Sequence, residues 1–544
     1  MNKIKEFIID KKEIVITFAI IIIVLMIPYF KENVLVGVDF EYHYTRIESM
    51  AEDLKEGIFP VKVHSNMARG YGYGTGFFYP NFFLYIPAII YILGVNFLTT
   101  YKLFMIIMLI MMFVFTYISF KTILEDKVAV LIGTAIYMLS NCLTLHMNQR
   151  GAVGEFSGMV FIPLIVAGMY DYTKNDFKKP YLLGLGFFGV INSHLITALL
   201  CTCYAVVTFL INIKSTIENK SKFLKLVICA ILVAMLTACF WMPMLEQMVL
   251  NEYKYSDPWI EVENSKFGIL DLFALDENCF GLLITISLPL IIYGLIDKKV
   301  PKKIKGYIIE FIVFVVIMIS PWFWHIAKVI LWMIQFKWRL LGLATAIAAI
   351  VIAALLKEYS DRKKIDLRII LGIVLLLLII FFNVQNQNLI YLDKANALGK
   401  INGIWKSLGG GTEYLPLHLN IYDIAFPECV LGKDFQKIPY YRENGIMYFT
   451  LNDSNQDKVY PPLIYYYGYV ADITDENGNS YPLEVRKSDK ELVEVVTEGK
   501  TGNIRVWYNG TKVQKISYLI TLAGLGLLVG YTSYRLIKKK VREK

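Results

Sequence analysis

Seven cysteines are spread through 544 residues with no CxxC pair and no zinc spacing, so neither a disulfide framework nor a metal site is expected from them. No small-residue cleavage site follows the first apolar run, EIVITFAIIIIVLMIPYF, which therefore reads as a retained signal anchor. No internal repeat is evident. Although the net charge is +9, the Lys and Arg residues sit in short clusters between apolar segments, where the positive-inside rule explains them. No nucleic-acid partner is expected.

What abounds is apolar side chain. With 56% hydrophobic and 14% aromatic residues, the chain carries more than one soluble core could bury, and it reads as an α-helical polytopic membrane protein. A span needs about 20 apolar residues. Runs of that order lie near 13–30, 99–120, 128–145, 156–172, 181–213 (long enough for two passes), 224–242, 279–296, 306–320, 338–356, 367–383 and 516–536. With both termini cytoplasmic, the basic loops TKNDFKKP, KSTIENKSKFLK, DKKVPKKIKG and KEYSDRKKIDLR fall inside, which requires about twelve transmembrane helices. The segments 77–94 and 322–336, rich in proline and aromatics, are then interfacial or re-entrant.

This parity places residues 31–98, the loop HMNQRGAVGEFS, the acidic stretch 243–278 and residues 384–515 outside. Strings such as MYFTLND, LIYYYGYVADIT, LEVRKSD, ELVEVVT and GNIRVWYNGT alternate and break as strands do. The expected order is a multi-span core over 1–383, a smaller β-rich extracytoplasmic domain over 384–515, and a final helix with a basic tail over 516–544.

Chemistry is sought in the outer segments. From Asp39 the chain reads as a helix ending near Gly57, with Phe40, Tyr44, Ile47, Ala51 and Leu54 in one stripe. Such a helix can lie on the membrane. Asp39, His43 and Arg46 fall on one flank and Glu41, Glu48 and Glu52 on the other, which looks simply solvated. Asp39 is equally suited to an N-cap, and the two roles can coexist.

ARGYGYGTGFFYP follows no buried strand, so a dinucleotide site is not indicated and a pliant aromatic interface loop is expected. In QRGAVGE, Arg150 could hold phosphate or close the loop by pairing with Glu155. Arg339 in QFKWRLL suits a lipid-phosphate site or ordinary snorkelling. His194 in NSHLITALL, Glu246 in FWMPMLEQ and Glu413 in GGGTEYLP are candidates to line a substrate cavity, Glu413 being equally suited to a turn.

VDFEYHYTRI, GIFPVKV, GYGYGTGFFYP, RGAVGE, SHLITAL, FWMPMLE, QFKWRLL and GTEYLP together resemble a bacterial multi-span family labelled 6-pyruvoyl-tetrahydropterin synthase-related. Lys337 stands where that family's string would carry proline, which leaves Arg339 unaffected. The label implies no pterin chemistry, because pterin synthases use a zinc-ligating histidine cluster that this chain lacks. The layout is similar to membrane glycosyltransferases of the GT-C class, whose donor is usually a polyprenyl-phosphate sugar. That resemblance implies Asp39 as the first-loop catalytic acid, although by architecture and not by a matched acidic pair.

The leading expectation is transfer of a sugar from a polyprenyl-phosphate donor to a lipid or cell-envelope glycan acceptor on the outer face. Asp39 would act as base, His43 and Glu155 as its support, and Arg46, Arg150 and Arg339 as phosphate ligands. The outer acids could bind Mg²⁺ or Mn²⁺, but no spacing demands a metal. The rivals are a transporter or flippase of lipid-linked saccharide and a non-enzymatic envelope-assembly protein.

Overall fold

The computed structural model describes residues 11–256, 262, 267–273, 279–397, 412–420 and 428–543. The chain divides into two units. The first comprises Met1–Phe40, Tyr101–Val233 and Pro258–Lys394, and the second Glu41–Thr100, Ala234–Asp257 and Ala395–Lys544.

Among the described residues, six helices are long and apolar enough to cross a membrane: Lys12–Phe30, Phe97–Ile123, Val153–Lys174, Lys337–Lys363, Leu367–Gln385 and Lys512–Lys538. Three bent pairs raise the number to nine if each is one span, and the expected double pass is the two shorter helices Pro180–Ile191 and Leu195–Ile211. The chain bends by 84° between Lys302–Ile319 and Pro321–Ile334, just before the segment 322–336 expected to be interfacial or re-entrant. Ser320 explains that break: its hydroxyl caps the second helix by accepting from the Phe323 N–H, and Pro321 follows at its first turn.

In the first unit, Val153–Lys174 and Lys337–Lys363 are the enclosed helices, with 94% and 89% of their apolar windows buried. The run LATAIAAIVIAA explains the second, since small side chains let neighbouring backbones come close. One end of this unit is fastened by charges. Glu13 accepts from Lys127 Nζ at 2.9 Å and Arg368 Nε at 3.2 Å, Lys303 meets Glu125 at 3.3 Å, and Arg362 meets Asp297. Exposed pairs of this kind add little stability. With Lys179 Nζ donating to Thr122 Oγ1 at 3.3 Å and Asn219 Nδ2 to Asp176 Oδ1 at 3.3 Å, they show that the basic loops share one end. Leu341–Lys363 carries Arg362 there and Arg339 just before its other end, roughly 34 Å away at 1.5 Å per residue.

The second unit holds a seven-stranded, wholly antiparallel sheet. Its strands run Tyr440–Glu443, Ile446–Leu451, Gly502–Tyr508, Tyr469–Thr474, Ser480–Lys487, Val493–Val496 and Lys458–Val459 across the sheet. The alternation read in the sequence is the inward set Met447, Phe449, Leu451, Ile473, Val493, Val495, Ile504 and Val506. This β-rich region precedes the last helix, Lys512–Glu543, as expected.

The aromatic loop is not pliant. Tyr73 and Phe77 are fully buried with Tyr253 and Tyr466, and Gly74 is obligatory there, because a Cβ would lie 2.5 Å from the Tyr466 ring. Gly74 admits the Tyr466 ring, whereas Gly76 lets the string pass close to the carbonyls of Val61 and Lys62, where a Cβ would come within 2.8 Å.

The helix Phe40–Lys55 also differs from expectation. Phe40, Tyr44, Ile47 and Ala51 are buried as the stripe requires, but so are His43, Arg46 and Asp53. Glu41, Glu48 and Glu52 are only partly covered. Polar neighbours account for the difference. Arg46 Nη2 donates to Asn81 Oδ1 at 2.6 Å, Pro80 O at 3.1 Å and Tyr79 O at 3.2 Å, and its guanidinium lies 4.3 Å from the Tyr79 ring centre. A hydrophobic stripe cannot reveal a polar face that is buried by hydrogen bonding.

Candidate functional site

The site lies within the first unit and begins with backbone. The antiparallel pair Val34–Leu35 and Tyr391–Leu392 sets the path of the loop that follows. Gly37 then lies flat on the chain at Arg150, where a Cβ would come within 2.4 Å of the Arg150 carbonyl carbon. The approach is sealed by Val38 N–H donating to Gln149 O at 3.2 Å and Asp39 N–H to Arg150 O at 2.7 Å. Asp39 is thereby placed against a loop distant in sequence.

That loop is shaped by a π-helical turn, Leu145–Gln149, and by Gly151 at φ +64°. π-turns recur at functional sites because the extra residue redirects side chains. Here the turn delivers His146, Arg150 follows, and Val153–Met159 presents Glu155 in its first turn.

Glu155 is the hub. Its Oε2 accepts from Arg150 Nη1 at 2.6 Å and its Oε1 from Arg339 Nε at 2.9 Å. His146 Nδ1 is 3.5 Å from Oε2, and His194 Nε2 is 4.0 Å from Oε1. Arg150 then extends the chain of charges, its Nη2 donating to Asp39 Oδ2 at 3.1 Å. The Glu155 side chain is 7% exposed, whereas Arg150 and Asp39 are 20% and 33% exposed. The network thus runs from a buried centre to an accessible edge.

Each member is held from behind. Arg339 Nη1 donates to Ile334 O at 2.6 Å and Gln335 Oε1 at 3.1 Å. The Trp338 ring lies tilted beside His146 with ring centres 5.5 Å apart, and the Arg150 guanidinium lies 4.9 Å from the Trp338 ring centre, a cation–π contact. His194 caps Leu195–Ile211, its Nδ1 accepting from the Thr197 N–H at 3.3 Å. In a neutral imidazole that bond puts the proton on Nε2, the nitrogen facing Glu155. Beside the hub is a cavity of about 20 Å³ lined by His146, Glu155, Thr197, Cys201, Arg339 and Leu343, room for about one water.

Burial raises the Asp39 pKa from its ordinary value, with Arg150 opposing the rise and Glu155 adding to it. A carboxylate so placed accepts a proton more readily than one in water.

The structure therefore brings Asp39, Arg150, Glu155, Arg339 and His194 together. His146, Gln335 and Trp338 join them without having been singled out in the sequence, although His146 opens the outer loop HMNQRGAVGEFS. His43, Arg46, Glu246 and Glu413 belong to the second unit. There His43 packs between the Tyr42 and Tyr79 rings, and Arg46, expected to bind phosphate, is enclosed by Tyr79, Pro80 and Asn81. Glu246 accepts from the Thr511 hydroxyl, and the Glu413 carbonyl accepts from Tyr255 N–H at 2.8 Å. Glycines 409–411 beside Glu413, and most of the stretch 257–278, lie outside the described residues. Among the described residues no three His, Cys, Asp or Glu side chains group as metal ligands. Both carboxylates of the cluster are engaged by arginine.

Residues 14–296, more than half of the chain, match DUF6541, a family of unknown function, and the chain belongs to that family. It is 26% identical over 254 residues to a protein of Lactococcus lactis subsp. cremoris (strain MG1363) described as uncharacterized. That match covers 45% of this chain and 41% of the relative, so the chain spans about two fifths of the relative's length. Among solved structures it is similar to the Archaeoglobus fulgidus oligosaccharyltransferase. For the apo form the identity is 13%, covering 70% of this chain and 57% of that chain, with a TM-score of 0.38. For the complex with Zn and sulfate the identity is 14%, covering 70% and 54%, with a TM-score of 0.36.

Proposed function

We propose that the protein is a GT-C-like membrane glycosyltransferase that moves a sugar from a polyprenyl-phosphate donor to an acceptor on the extracytoplasmic face. The observation that carries this reading is the chain Asp39–Arg150–Glu155–Arg339, two arginines and a basic carboxylate in one partly open cluster. Its position supports the sidedness: it stands at the end of the helices away from the basic loops, which the positive-inside rule assigns to the cytoplasm.

In this reading Asp39 takes the proton of the acceptor hydroxyl as that oxygen attacks the sugar carbon, and the lipid phosphate departs. Arg150 and Arg339 offset the charge that gathers on the leaving phosphate. Glu155 holds the two guanidinium groups in register, and His194, its tautomer fixed by Thr197, turns its Nε2 toward Glu155 at 4.0 Å.

A second reading, transport of a lipid-linked saccharide, draws support from the broken helices, such as the 43° and 84° bends at 127–149 and 302–334. One experiment separates the two. Label from polyprenyl-phosphate sugars is offered to membranes carrying wild type, Asp39→Asn or Glu41→Gln. Transfer lost in Asp39→Asn and kept in Glu41→Gln is the expected result, while unchanged transfer in Asp39→Asn sinks the assignment. Movement of lipid-linked sugar between leaflets without any transfer favours the transporter.

A further inference from the structure

We infer that Asp39 is the resting occupant of an anion site on Arg150 and is displaced when a phosphate group arrives, so that the base is released only after the donor is in place. The identity of that anion as the donor's phosphate rests on the transferase reading. The displacement itself rests on the geometry below.

Arg150 divides its guanidinium between two acids. Nη1 is committed to Glu155, which is deeply buried, also held by Arg339, and faced by His146 and His194 at 3.5 and 4.0 Å. Removing that bond would strand several buried polar groups. Nη2 faces Asp39, the most exposed member of the cluster, over the longer distance of 3.1 Å. Of the two bonds, only the second can be exchanged without dismantling the hub.

Exchange needs little motion. Trp338 lies against the Arg150 guanidinium, so its plane can stay fixed while the partner changes. The backbone bond from Asp39 N–H to Arg150 O, at 2.7 Å, does not depend on the carboxylate, so Asp39 stays beside the site when its side chain turns away. A phosphate oxygen takes the vacated place on Nη2 through a charge-assisted bond of the same kind. The displaced carboxylate has then lost the cation that held its proton affinity down.

The opposite arrangement, with Asp39 merely bracing Arg150 for phosphate, makes the opposite prediction, and anion affinity decides between them. Inorganic phosphate is titrated into the full-length protein in detergent by calorimetry, with wild type and Asp39→Asn compared under identical salt. The expected result is binding tighter by about tenfold in Asp39→Asn, because the variant no longer competes for Nη2. Equal or weaker binding overturns the proposal. Should Asp39→Asn fold poorly, a wild-type structure at saturating phosphate serves instead: a carboxylate turned away from Nη2 supports displacement, and an intact bond overturns it. Sugar transfer is assayed separately. Tighter phosphate binding in a protein that transfers nothing would keep the displacement and remove the transferase reading, while transfer with unchanged affinity would do the reverse.

Discussion

Glu155 and Arg339, 184 residues apart in sequence, are joined by a 2.9 Å bond from Nε to Oε1 that ties two enclosed helices together at the site. Because both side chains are largely buried, the bond binds each partner to the other's presence. Glu155→Gln leaves two arginines facing a neutral amide and is expected to lower stability by about 3–5 kcal/mol. Thermal unfolding in detergent measures it. In a double-mutant cycle with Arg339→Gln the two losses should be less than additive; simple additivity would show that the bond carries no coupling.

Asp39 lies at the accessible edge, so its replacement should be felt in chemistry more than in folding. Asp39→Asn is expected to reduce sugar transfer by about 10²–10⁴, the range of a lost general base. Its melting temperature should stay near that of wild type. A large loss of stability with residual transfer in proportion would mark Asp39 as a structural cap.

Arg150 is expected to tolerate lysine badly. A single ammonium cannot address Asp39 and Glu155 from two nitrogens while lying against Trp338. Arg150→Lys should raise KM for the polyprenyl-phosphate donor more than KM for the acceptor. Equal effects on both substrates would argue against a phosphate role.

Asp53 and His64 make the second unit sensitive to pH from opposite sides. Burial pushes Asp53 up to about 7 and His64 down to about 3. Asp53 binds its proton more tightly folded than unfolded, where its pKa is about 3.9, so stability is lost as pH rises from there through about 7. His64 binds its proton less tightly folded than unfolded, where its pKa is about 6.5, so stability is lost as pH falls from there through about 3. Asp53→Asn should therefore narrow the gap in thermal midpoint between about pH 6 and about pH 8, leaving the acid side unchanged. An unaltered gap would show that Asp53 does not titrate there.

The features legible in the sequence share a physical character: each is carried by residues close along the chain. The strands from Ile446–Leu451 to Gly502–Tyr508 announced themselves by alternation, and the long helices by apolar length. Asp39, Arg150, Glu155 and Arg339 stood out because charge is costly beside apolar spans. Their convergence was not legible in the same way. It depends on Gly37 meeting the Arg150 backbone and on a π-turn, neither of which has a local signature. Helical phase misled where it assumed that residues sharing a flank share a partner. Asp39 pairs with Arg150, while Arg46 is held by the chain at 79–81. Side chains buried by hydrogen bonding leave no trace in a hydrophobic pattern.

The balance of the cluster bears on which anions reach it. Asp39 and Glu155 carry two negative charges, Arg150 and Arg339 two positive. Their sum is zero, so the resting cluster projects little field beyond its own mouth and does little to gather soluble phosphates from a distance. A phosphate borne on a lipid is confined to the membrane plane, where its effective concentration is high without any long-range attraction. Neutrality thus makes location, and not charge alone, a means of telling a membrane-bound ligand from the many free anions of the same chemistry.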